Sequence, residues 1–165
     1  MANPKKSDNQ FGPLNLSFLT NGYYDKDDNL RPELLDQHAR DLGKRFAEEK
    51  EPIPNSRSTK QVSSGQIRRF FGDVRDLEER IGRSTLFAIF ESSDANEIKP
   101  YLALIRMLKS KADYAAGRGT VTTAFKEFIT HSVDQIKTPK DFRAFVLFFE
   151  AIVGYYYGAG GEKNR

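Results

Sequence analysis

The sequence predicts an all-α protein, a compact bundle of about five helices with a flexible N-terminal segment. Apolar residues recur at the helical period in five separate segments. No stretch of useful length alternates apolar and polar residues as a strand would, and no internal repeat interrupts the pattern. The 165 residues suit one domain, and 13 Phe and 7 Tyr supply large rings to fill a small core.

Residues 1–31 are rich in Asn, Asp, Gly and Pro and show no sustained apolar period, so they read as irregular. Within them, residues 1–21 are expected to form a flexible tail. The helical domain is expected over residues 22–158, and residues 159–165 form a second flexible tail. Asp25, Asp27 and Asn29 imitate the start of a calcium loop. Leu30 stands where such a loop needs glycine, so a solvated loop before a helix is the better reading.

Pro32 suits the first turn of a helix running to about Glu49, with Leu34, Leu35, Leu42 and Phe46 on one side. Two prolines make residues 51–60 a linker. Ser63 or Ser64 caps the second helix, whose stripe is Ile67, Phe70, Phe71, Val74, Leu77 and Ile81. Glu78 falls inside that stripe, so it is either paired or near the edge of the core. Gly82 breaks or bends the helix, and Leu86, Phe87, Ile89 and Phe90 continue as a short apolar run. A third helix begins near Pro100 and stops at Gly117–Gly119. A fourth carries Phe125, Phe128, Ile129, Val133 and Ile136. The fifth has Thr138 as N-cap, Pro139 at the first position and Asp141 facing the positive helix end. It is apolar nearly all round, so either it sits at the bundle's centre or one face, with Phe148 and Tyr155, meets another protein.

Chemistry is mostly excluded by composition. The absence of Cys removes disulfides, thiolate metal sites and cysteine nucleophiles, and two His cannot form a multi-His metal site. His38 and His131 lie on different helices without a nucleophile at motif spacing. Gly117-Arg118-Gly119 is a helix stop rather than a phosphate loop. Asp73, Asp76 and Glu79 lie within a turn of Arg69 and Arg80, which favours intrahelical ion pairs over metal binding. No catalytic residue, metal or cofactor is therefore expected. No stretch approaches the roughly 20 apolar residues of a membrane span. The first residues have no apolar core of a secretory signal, which predicts a cytoplasmic protein.

Charge is informative only by its distribution, because the net value is +3. Residues 25–51 sum to −3, 57–83 to +3, 84–98 to −3 and 99–118 to +4. Two basic segments thus stand between acidic ones. On the second helix Arg68, Gly72 and Arg75 share a line. On the third, Lys111 and Arg118 flank Ala115, with Met107 and Tyr114 along the same edge and Lys109 on the opposite flank. If these strips converge, they suit a phosphate backbone contacted without base reading. The competing reading is a purely structural adaptor whose strips meet an acidic protein face.

The blocks SSGQIRRFFGDV at 63–74, YLALIRMLKSKADYAAGRG at 101–119 and FRAFVLFFEAIVGYYYG at 142–158, with GYYDKDDNLRPEL upstream at 22–34, resemble the small subunit of type III-A CRISPR (Csm) interference complexes. The related type III-B small subunit shares that architecture. The resemblance implies a small α-helical prokaryotic protein without a catalytic site, acting in antiviral defence. It implies that several copies stack along the complex and help hold the duplex of guide RNA and target RNA, while neighbouring subunits cleave. The implied partners are both RNAs, other copies of the chain and the other Csm subunits. By motif it adds Arg69 and Lys109 to Arg68, Arg75, Lys111 and Arg118 as RNA-contacting candidates, with Lys60 in the preceding linker.

Overall fold

The computed structural model describes residues 10–161. Pro32 opens a helix that widens into one π turn, Leu34–His38, before continuing as α1, Ala39–Glu48. The proline-bearing linker closes as a hairpin, with β1, Glu51–Pro52, antiparallel to β2, Thr59–Lys60. Helix α2, Ser64–Gly82, starts where Ser63 Oγ accepts from the Gln66 N–H at 3.2 Å. A short α3, Ala95–Ile98, leads through a 3-10 turn into α4, Leu102–Gly117. Gly119 turns the chain with φ +74°, which glycine adopts without steric cost. Thr122 caps α5, Thr123–Asp134, and a full capping box between Thr138 and Asp141 starts α6, Pro139–Gly158. The fold class is all-α, as predicted.

Helix α6 is central. Phe149 meets Phe71 of α2 and both Phe125 and Phe128 of α5, with ring centroids 5.5–6.2 Å apart. Phe46 of α1 reaches the same two α5 rings. Such pairs add about 0.5–1.5 kcal/mol each beyond the apolar area they remove from water. Glu78 is buried and finds the partners its position requires, Arg75 at 2.6 Å and Arg143 of α6.

Gly43 brings α1 against α6. A Cβ placed there would lie 2.6 Å from Tyr155 Cβ and 2.8 Å from the Ile152 carbonyl and the Tyr156 nitrogen. Backbone cannot yield as a flexible side chain can. Gly43→Ala is expected to lower stability by about 1–3 kcal/mol, read as a fall in Tm by circular dichroism. An unchanged Tm would mean that the two helices do not approach this closely.

Packed residues extend past both expected domain boundaries. Leu16 and Leu19 are buried and Ser17–Asn21 forms a 3-10 turn, so ordered packing begins before residue 22. Arg31 holds this segment by donating from one terminal nitrogen to the carbonyls of Phe18 and Gly22, at 2.7 and 2.8 Å. Packing also reaches Gly161, whose carbonyl accepts from the Tyr156 hydroxyl at 3.1 Å. The rest of the expected tails, 1–9 and 162–165, lies outside the described residues. The apolar run after Gly82 divides between core and surface. Only Phe90 is buried, whereas Leu86 is 89% exposed and Leu86 and Phe87 both take left-handed backbone conformations.

The loop at Asp25 is an Asx turn. Asp25 Oδ1 accepts from the N–H groups of Asp27 and Asn29, both at 2.9 Å, and the hydrogen bond from Asn29 leads in holding its carboxyl below the usual range. Asp28 pairs with Lys140 at 2.6 Å, which ties the loop to the start of α6. Tyr24 reinforces that tie by donating to the Lys140 carbonyl at 2.9 Å, and burial first, then the nearby Asp141, pushes its hydroxyl up to about 12.

Candidate functional site

Helices α2 and α4 carry the two basic segments, and the cleft between them holds about 360 Å³. Phe70 and Ala115 form its apolar floor. Arg69 of α2 and Lys111 and Arg118 of α4 line it, with Gln66, Asp73, Tyr114 and Thr120. Lys111 Nζ reaches across to Asp73 Oδ2 at 3.0 Å. Arg118 lies over the Tyr114 ring, 5.8 Å from its centroid, and donates to its hydroxyl at 3.3 Å. Three cations against one carboxylate leave a surplus of two positive charges in a concave surface, where low-dielectric walls concentrate the field.

Lys60 stands at one end of this cleft. Its Cγ is 3.8 Å from where a Cβ on Gly119 would sit, next to Arg118, and its ammonium is 4.0 Å from Glu51. Glu51 in turn accepts from the Thr123 N–H and hydroxyl, both at 2.6 Å, so the hairpin is fastened to the start of α5.

The single groove expected from Arg68, Arg75, Lys111 and Arg118 is not formed. Arg68 donates to the Tyr157 hydroxyl at 2.7 Å, and its guanidinium lies over that ring. Arg75 pairs with Glu78, which Arg143 also holds. Both arginines therefore lie on the α6 flank of α2, while Arg69 lies on the α4 flank. Successive helical residues point about 100° apart, so the neighbouring arginine serves a different face. Lys109 is likewise turned away from the cleft and pairs with Asp134 of α5 at 2.6 Å. Of the candidates, the cleft unites Arg69, Lys111 and Arg118, with Lys60 at its end.

Asp73 and Tyr114 complete the site; the sequence placed Tyr114 along the basic edge of the third helix and gave Asp73 no role there. Asp73 was expected to pair within its own helix. The spacing that suggested this is real, but Lys111 across the cleft takes the carboxylate instead. Glu79 does pair within the helix region, with Arg83 at 3.4 Å.

Phe148 cannot serve as a subunit contact, because it is fully buried between Phe18 and Phe128. Phe18 belongs to the segment expected to be a tail, which is why this face of α6 read as uncovered. Tyr155 is half-buried against α1, with Arg40 stacked 5.4 Å from its ring centroid. His38 stacks on Phe18 at 3.7 Å, and burial, then Arg31, keeps its imidazole pKa below the usual value. Among the described residues no helix is long and apolar enough to cross a membrane.

A family model described as Csm2 Type III-A matches residues 29–162. No curated protein and no solved structure matches the chain.

Proposed function

The chain belongs to the Csm2 type III-A family, the small subunits of the Csm effector complex, and from that premise we propose that it is a non-catalytic RNA-binding subunit. It holds the duplex of guide RNA and target RNA through backbone contacts that read no sequence. The observation that carries this reading is the convergence of Arg69, Lys111 and Arg118 from two helices on one cleft. Guanidinium and ammonium groups contact phosphate oxygens whatever the base, as a subunit lying along any guide requires. Several copies stack side by side, so each binds weakly and the assembly supplies the affinity. Arg68, Arg75 and Lys109 make a second tier of candidates on other faces, each needing to leave an intramolecular partner to reach RNA.

Site-directed photo-cross-linking at positions 69 and 118 in the assembled complex tests this. RNA adducts at both positions are expected. Adducts to protein alone would instead identify an adaptor that uses the cleft to grip an acidic protein face.

Asp73 opposes RNA in this arrangement, since its carboxylate neutralises Lys111 and repels phosphate. Asp73→Asn keeps the side chain's size and frees the ammonium. It is expected to raise the complex's affinity for target RNA by about threefold at low salt, the scale of one partly exposed charge. Equal affinity for the variant and the parent across a salt titration would show that no phosphate comes near Lys111.

A further inference from the structure

A phosphate contact would use only the hydroxyl of Tyr114, yet its whole ring occupies the rim of the cationic cleft. It is 67% exposed, one of four large apolar side chains left open among the described residues. It sits three residues after Lys111 and four before Arg118, so one helical turn on either side of the ring carries a cation. Arg118 is held beside it, as the 3.3 Å hydrogen bond to its hydroxyl shows. With Arg118 over one side of the ring and 67% of the residue exposed, the remaining face is open to a flat partner, which matches a nucleotide better than it matches a bare phosphate. The ring offers a stacking surface for a base while the cations take the flanking phosphates.

We propose that Tyr114 is a stacking platform for a nucleobase, and that the cleft therefore takes an RNA strand with an unstacked base at this position. The proposal rests on the RNA-binding reading above and narrows it. In a continuous A-form duplex every base face is covered by its neighbours, leaving Tyr114 nothing to stack on. Sequence independence survives, because every base has a π face.

The test uses assembled complexes carrying Tyr114→Leu or Tyr114→Phe, and target RNAs with one unpaired 2-aminopurine at successive positions. With the parent protein, fluorescence is expected to be quenched at particular positions. Tyr114→Leu should lose that quenching and about tenfold in affinity, with an unchanged salt dependence, because no charge is altered. Tyr114→Phe should retain both. The exposed site tolerates either residue, and an unchanged melting temperature checks this. If Tyr114→Leu binds and quenches like the parent while Arg118→Glu still loses RNA, the stacking role is wrong and the RNA-binding cleft stands. If Arg118→Glu also leaves RNA binding intact, both fall.

Discussion

Arg69→Glu combined with Arg118→Glu is expected to lower retention of target RNA by the assembled complex by at least about tenfold, with unchanged helicity. A single charge-assisted hydrogen bond contributes about 1.5–3 kcal/mol, so losing even one such contact gives that factor. Reversal adds repulsion to the loss, and each copy in the complex carries the defect. This pair is cleaner than Lys111→Glu. Neither arginine is in an ion pair among the described residues, whereas a glutamate at 111 would face Asp73 and disturb the contact between α2 and α4. The slope of log affinity against log salt should fall by about one per phosphate contact removed. Arg68→Glu with Arg75→Glu is the comparison that separates the two faces of α2. If the α6-flank pair abolishes retention and the cleft pair does not, RNA lies over the wrong side of α2 for the proposed site.

Phe148→Ala should cost about 3–5 kcal/mol of stability, because it empties a fully buried volume between Phe18 and Phe128. For a chain of this size that is a fall in Tm on the order of 10 °C. It should appear in the isolated protein, without RNA or any other subunit. A residue acting only at a subunit interface behaves oppositely: the isolated chain melts as before and assembly fails. Finding that pattern would return Phe148 to the surface and require the N-terminal segment to leave α6. Phe18→Ala should weaken the same packing from the other side, so the two substitutions should not add.

Helix starts were the most legible part of the fold. Ser63 and Thr138 cap as their side chains suggest, and Pro32 and Pro139 sit where a missing N–H costs nothing. These are local effects decided within one turn of chain. The buried, doubly paired Glu78 was legible for the same reason, since a carboxylate in an apolar stripe must be neutralised. The place of the Leu86–Phe87 run was not legible, because hydrophobicity alone does not bury a residue, and the left-handed turn after Gly82 carries both outward.

The site was legible as two basic segments but not as one surface. Periodicity orders residues around a single helix and says nothing about which flank faces which neighbour. Arg68 and Arg69 are adjacent in sequence and about 100° apart on the helix, and only the packing of α2 between α4 and α6 decided that Arg69 joins Lys111 and Arg118. The same holds for α6, whose all-round apolar surface left open whether a partner or the chain itself covers Phe148. The sequence by itself determined the helices, their caps and the amount of positive charge, because those follow from interactions within a few residues. Tertiary structure alone decided where that charge is concentrated and which rings remain exposed, because both depend on contacts between residues tens of positions apart, such as Asp73 with Lys111 and Phe18 with Phe148.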